Sequence, residues 1–231
     1  MKIMTSKVNN EYTIYFAGPL FDHKDLIGNS ILSCYIDKVS EGRYLCLLPQ
    51  DSEQAVKRLS DIRNQDLSYV MSCDLAIFNF DGDELDSGTV VEFLYAKLLD
   101  VPSLIIRSDF RDFGNQGREG DLWNLMASSY PRTSTLEFNS MEWYQQENNA
   151  TESGEYVFSM ADSLYRKFAR LVITELEALT EEPPLLSTKD RQVFDVYKWA
   201  SLFPGNELKK VERILNIDAI INAKKEKGLI G

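Results

Sequence analysis

Histidine is nearly absent from these 231 residues, His23 being the single one, and cysteine is limited to Cys34, Cys46 and Cys73. With no CxxC pair, a Cys/His zinc site is excluded on ligand number. Cys46 and Cys73 lie inside apolar runs and read as reduced core thiols. Long hydrophobic runs are also missing. Met1 to Thr13 lacks the apolar stretch of a signal peptide, and no segment is apolar for long enough to cross a bilayer, so a cytoplasmic setting is expected. Basic residues are in short supply, with 25 Lys and Arg against 36 Asp and Glu and a formal charge of −11. Such a surface repels phosphate backbones and anionic lipid, so neither nucleic acid nor membrane is an expected partner. Small neutral substrates meet no such barrier.

What is present is a 44% hydrophobic chain that alternates strand-like and helix-like segments. Tyr12–Ala17 is β-rich and stops at Gly18-Pro19. A helical spacing follows from Asp25 to Val39, then a strand over Arg43–Leu48 ending at Pro49. Ser52 to Met71 reads as helix, Asp74–Phe80 as an apolar strand, Thr89 to Leu99 as helix and Val101–Arg107 as strand. Asp121 to Ser129 reads as a short helix and Ser134–Phe138 as a fifth strand. Glu155 to Leu179 gives a long helix, broken by Pro183-Pro184, with two further helical patterns over Thr188–Phe203 and Glu207–Lys227.

This order predicts an α/β fold: a doubly wound, flavodoxin/Rossmann-like, five-stranded parallel sheet in residues 1–180, with residues 181–231 as a helical C-terminal extension. Ligands of such sheets sit beyond the carboxyl ends of the strands. The segments expected there are Gly18–Asp25, Pro49–Glu53, Asp81–Gly88 and Ser108–Gly120.

The third of these segments runs on as Asp86-Ser87-Gly88-Thr89-Val90-Val91-Glu92 and is open to two readings. Thr89 and Glu92 have the spacing of a capping box, each bonding the other's backbone N–H. Alternatively, Glu92 in a first helical turn is an ionised carboxylate at the mouth of a sheet, a competent nucleophile for an anomeric carbon. Asp66 and Asp86 are then candidates for the second polar role that glycosidic cleavage needs.

Four motifs occur in order: Tyr15-Phe-Ala-Gly-Pro-Leu-Phe21, Asn64-Gln-Asp66-Leu67, Asp86-Ser-Gly-Thr-Val-Val-Glu92-Phe-Leu-Tyr-Ala96 and Asn124-Leu-Met126. Together they resemble the nucleoside 2-deoxyribosyltransferases, from about Tyr12 to Met126. The resemblance implies that Glu92 attacks C1′ to form a covalent 2-deoxyribosyl-enzyme. It implies that Tyr15 orients Glu92, Asp66 lines the sugar and base region, and Asp86 lies near the sugar 5′-hydroxyl. Gly18, Ser87 and Gly88 are expected among the substrate-binding residues, with Phe21 as a stacking wall and Gln50 as a reader of the base. Asn124 and Met126 match residues that reach into a neighbouring subunit's pocket, so a homo-oligomer is expected.

The implied reaction transfers 2-deoxyribose between nucleobases, with slow hydrolysis when water replaces the second base. Its expected partners are deoxynucleosides and free nucleobases, with no metal and no organic cofactor. Two alternatives stay open. One is a nucleoside 5′-monophosphate N-glycosidase of the same fold, against which Asp86 argues by repelling phosphate. The other is a non-catalytic sensor of nucleoside derivatives.

Overall fold

The computed structural model of the chain describes residues 11–52, 59–82, 84–109, 124–150, 156–187, 192–204 and 215–231. Residues 53–58, 83, 110–123, 155, 188–191 and 205–214 of the expected segments lie outside them.

Five strands form one parallel sheet: β1 Tyr12–Ala17, β2 Tyr44–Leu47, β3 Leu75–Asn79, β4 Ser103–Arg107 and β5 Thr133–Glu137, in the order β2-β1-β3-β4-β5. This is the flavodoxin-like order, whose switch point lies between β1 and β3. β1 to β4 are legible in the sequence because parallel strands covered on both sides read as near-continuous apolar runs, whereas β5 is a half-buried edge strand of mostly polar residues. β4 is buried along its whole length and β3 nearly so.

The alternation of side chains splits the core in two. Ile14 and Phe16 of β1 point to one face with Leu75 and Ile77. There they meet α1 (His23–Val39) and α5 (Tyr156–Glu181) through Leu32, Ile36, Phe168, Val172 and Leu176. Tyr15 and Ala17 point to the other face with Ala76 and Phe78. α2 (Leu59–Ser72) and α3 (Ser87–Leu98) cover that side. His23, expected in a loop, is the first residue of α1, which Asp22 caps by accepting the Lys24 and Asp25 amides. The Cys73 thiol is buried, the Cys46 thiol is partly covered, and burial pushes both up to about 12.

Several expectations are corrected. The short helix expected over Asp121–Ser129 is not formed in its described part. Residues 125–127 make a single turn, because the Asn124 side chain accepts the Met126 and Ala127 amides, each at 2.9 Å. A helix that the sequence pattern does not predict, α4 (Ser140–Ala150), follows β5; it buries no residue fully, so its sequence shows little apolar stripe. Within the stretch Glu207–Lys227 expected as helix, the described residues 215 and 216 are not helical and α7 (Ile217–Glu226) begins at Ile217. Asn216 caps it by accepting the Ala219 amide.

The segment beyond Pro183 does not stand apart from the sheet. Val193, Tyr197 and Ala200 of α6 (Gln192–Leu202), with Ile217, Ile221 and Ile230, belong to the same core cluster as Tyr15 and Phe93. The Tyr95 hydroxyl donates to the Ala200 carbonyl at 2.9 Å, joining α3 to α6. At the N-terminal edge of the sheet, Lys227 pairs with buried Asp74 at 2.7 Å and the buried Lys224 ammonium donates to the Cys73 carbonyl. Nearby, Asp100 and Arg132 form a buried ion pair at 3.1 Å, and Arg132 also donates to the Leu229 carbonyl. These polar anchors explain why the tail has the composition of an appendage: its lysines serve the interior as well as the surface.

Candidate active site

The carboxyl ends of β1 and β3 meet closely. A Cβ placed on Gly18 would come within 2.9 Å of the Asn79 Cβ, so only glycine lets the two strand exits touch. The Asn29 side chain, buried on α1, donates to the Pro19 carbonyl at 3.0 Å and holds the β1 exit from the other side.

Beneath this junction the Tyr15 hydroxyl donates to Glu92 Oε1 at 2.8 Å, bridging β1 and α3. Tyr15 is fully buried. Its hydroxyl is pushed well above the ordinary tyrosine range by burial first, then by the negative charges of Glu92 and of Asp66 on α2. It therefore remains a protonated donor across the physiological range. Glu92 itself is only half-buried, so one side of the carboxylate region is open. Its orientation follows from its neighbour: Phe93 is locked edge-on against Phe78, Phe80 and Tyr130 at 5.3, 5.8 and 5.3 Å. That aromatic contact fixes the rotation of α3 about its axis.

The start of α3 differs from both sequence readings. Its N-cap is Asp86, whose Oδ2 accepts the Thr89 amide at 2.7 Å and the Thr89 hydroxyl at 2.8 Å. The Thr89–Glu92 capping box is thus not formed. The helix begins at Ser87, which puts Glu92 in the second turn rather than the first. The helix dipole fades within one turn and so acts weakly on Glu92, whereas the Tyr15 hydrogen bond acts on its carboxylate directly.

The remaining predicted residues are distributed around this centre. Ser87 and Gly88 occupy the first two helical positions and are exposed. Gln50 lies in a 3-10 turn, Pro49–Asp51, just past β2; its amide nitrogen donates to the Leu26 carbonyl at 2.9 Å and to Ser30 Oγ at 2.8 Å. Phe21 stands exposed beside the cap of α1, and Asn124 holds its turn so that Leu125 and Met126 face outward. Tyr15, Asp66 and Glu92 are brought together. Asn124 and Met126 lie in a separate turn, where the Asn124 side chain bonds the Met126 and Ala127 amides.

Two residues carry structural duties here that the sequence reading does not assign. Asn79 receives Gly18 and accepts the Asp81 amide at 3.1 Å. Asp81, one residue of an acidic loop by composition, is turned inward toward β4. Its carboxyl is pushed up by burial, against the pull of hydrogen bonds from Ser108 and Asp109. Its place directly after an apolar strand is the available signal. Among the described residues, no group of three His, Cys, Asp or Glu side chains is arranged to hold a metal ion, and no helix is long and apolar enough to cross a membrane.

No curated protein sequence matches the chain. Among solved structures, a conserved protein from Enterococcus faecalis V583 is similar at 20% identity and a TM-score of 0.44, covering 72% of this chain and 98% of that one. A 2-desoxiribosyltransferase from Leishmania mexicana is similar at 25% identity and 0.43, covering 57% and 92%. A 2-deoxyribosyltransferase from Bacillus psychrosaccharolyticus is similar at 16% identity and 0.41, covering 64% and 95%. Residues 14–141, which contain Tyr15, Asp66, Asp86, Glu92, Asn124 and Met126, match the family model described as nucleoside 2-deoxyribosyltransferase, and the chain belongs to that family.

Proposed function

We propose that the protein transfers 2-deoxyribose from one nucleobase to another through a covalent intermediate on Glu92. The observation that carries this reading is the 2.8 Å hydrogen bond from the buried Tyr15 hydroxyl to Glu92 Oε1 beside the β1/β3 switch point. A carboxylate oriented by a neutral hydroxyl donor is held in place without losing the negative charge that attack requires.

The chemistry follows in two steps. As the C1′–N bond breaks, its electron pair leaves with the base and C1′ gains oxocarbenium character, which the Glu92 anion stabilises and then captures. The incoming base attacks C1′ from the face the first base vacated and expels Glu92, restoring the carboxylate with net retention. Water in place of the base gives hydrolysis. The Asp66 charge is felt at the Tyr15 hydroxyl, which supports giving it a part in the sugar and base region. Asp86 caps α3 and keeps the approach to Glu92 in place.

A 5′-phosphate would draw on the amides at the start of α3. Asp86 already accepts one of them, that of Thr89, and its charge opposes phosphate, which favours nucleosides over nucleotides. The outward-facing Leu125 and Met126 suit a second copy of the chain, with Asn124 and Met126 completing the neighbour's pocket.

The test is incubation of the pure protein with a deoxynucleoside and a different free base, followed by intact-mass analysis of the Glu92 peptide. Base exchange and a deoxyribosyl adduct are expected for wild type, and neither for Glu92→Ala. Exchange that persists in Glu92→Ala, or turnover of deoxynucleotides alone, sinks the proposal.

A further inference from the structure

The β3–β4 ladder ends at the pairing of Asn79 with Ile106, closed by the bond from the Phe80 amide to the Ile106 carbonyl at 2.9 Å. Side chains carry the connection further. The buried Arg107 guanidinium donates to the Phe80 carbonyl at 2.8 Å. Asp81 then continues the connection with its side chain. Oδ1 accepts the amides of Ser108 and of Asp109, the latter at 3.0 Å, and Oδ2 accepts the Ser108 hydroxyl at 2.6 Å. On the other side, Asn79 holds the Asp81 amide and abuts Gly18. Three consecutive residues, Asn79, Phe80 and Asp81, therefore tie the exits of β1, β3 and β4 into one frame. Just beyond it, Gly82 turns at φ 118° toward the cap of α3.

This placement matters for a two-substrate reaction. The nucleophile is fixed on the β1/β3 side by Tyr15, whereas the first two residues past β4 are gathered onto the Asp81 carboxylate. Asp81 thus ties the first two residues past β4 to the frame around that centre, beside the Arg107 bond to the Phe80 carbonyl. We propose that Asp81 is a positioning residue that sets the separation between the β4 exit at Ser108–Asp109 and the Glu92 centre, and thereby governs how the incoming base is held. This rests on the base-exchange reading. Asp81 touches no reacting atom in the scheme, so its removal is felt in capture of the acceptor base more than in attack on C1′.

The test compares Asp81→Ala with Asp81→Asn. The amide keeps an Oδ1 acceptor for both backbone N–H groups and turns an N–H toward the Ser108 hydroxyl, so the frame survives. In Asp81→Ala the KM for the acceptor base is expected to rise about tenfold or more, while hydrolysis of the glycosyl-enzyme by water changes by less than about threefold. Asp81→Asn is expected to stay within about threefold of wild type in both. Hydrogen exchange at the Ser108 and Asp109 amides, which needs no turnover, is expected to quicken about tenfold in Asp81→Ala and not in Asp81→Asn. Should Asp81→Ala fail to fold, Ser108→Ala removes one bond of the clamp and is expected to raise acceptor KM about two- to fivefold. Unchanged amide exchange in Asp81→Ala, an equal loss in the Asn variant, or an unchanged acceptor KM in Ser108→Ala overturns the proposal. A wild type that exchanges no bases overturns the functional reading, and the amide measurement then decides the clamp separately.

Discussion

Replacing Tyr15 by phenylalanine isolates the hydrogen bond on which the proposed mechanism depends. The ring is fully buried among Ala17, Phe78 and the α2–α3 side chains, so the Tyr15→Phe change keeps the packing and removes one oxygen. What is lost is a 2.8 Å hydrogen bond from a neutral donor to a carboxylate. Hydrogen bonds to charged groups are worth about 1.5–3 kcal/mol. If the bond orients Glu92 for attack, that energy appears in the barrier, and at about 1.4 kcal/mol per decade the rate of glycosyl-enzyme formation falls about 10- to 150-fold. The same loss bounds the cost to stability at about 1.5–3 kcal/mol, since no cavity opens and no buried donor is stranded, and the protein stays folded in the assay. Because the hydroxyl is held well above its ordinary pKa by burial and by Glu92, it is protonated throughout. The deficit should accordingly be the same from about pH 6 to about pH 9. Rapid-quench measurement of base release reads the glycosylation step directly, and urea unfolding reads stability. A Tyr15→Phe enzyme within about threefold of wild type would refute the orienting role, as would a rate loss matched by loss of folded protein.

Gly18→Ala should destabilise by about 1–3 kcal/mol, because its Cβ would meet the Asn79 Cβ at 2.9 Å; an unchanged urea midpoint would show that the strand exits do not touch. Asp86→Ala should cost about 1 kcal/mol through loss of the α3 cap, and Asp86→Ser, which can cap the Thr89 amide, should restore most of it. Equal stability of the two variants would remove Asp86 from that role. Lys224→Met concerns the alkaline range. Burial lowers Lys224 from 10.5 to about 8, so at neutral pH both states are protonated and the fold bears the whole desolvation cost. As pH rises past about 8 the folded lysine releases its proton first, and wild-type stability gains about 3 kcal/mol from this group by the point where the unfolded chain titrates. The Met variant lacks that gain, so its stability relative to wild type should decline over the same window in urea titrations. Parallel curves for the two proteins would rule it out.

Strands β1 to β4 are readable because a buried parallel strand leaves an unmistakable apolar run. The choice between Asp86 and Thr89 as cap is not readable. Both side chains cap well, and the choice is seen only in where the helical backbone starts, at Ser87 directly after Asp86. Asp81 is hidden for a related reason: composition marks a run of carboxylates as solvated, and only the neighbouring exit of β4 shows that this one faces donors. The tail reads as an appendage because α6 and α7 bury narrow stripes against elements far away in sequence, with Lys224 and Arg132 accepted into the interior through backbone carbonyls. Gln50 shows the reverse. Its position at the end of β2 agrees with the sequence reading, but its amide nitrogen is spent on α1, so any contact it makes with a base falls to its carbonyl.

The integration of α6 and α7 into the sheet's own core bears on biosynthesis. Lys224 and Lys227 reach Cys73 and Asp74 across 151 and 153 residues of sequence, and Ile230 lies in the cluster that contains Tyr15. A nascent chain that has emerged only through α5 carries the five described strands and Glu92, yet leaves the face that will receive Tyr197 and Ile221 uncovered. During translation that face is an adhesive intermediate, exposed until the last helix leaves the ribosome. The demand for chaperone attention should thus peak after the catalytic segment has already been made.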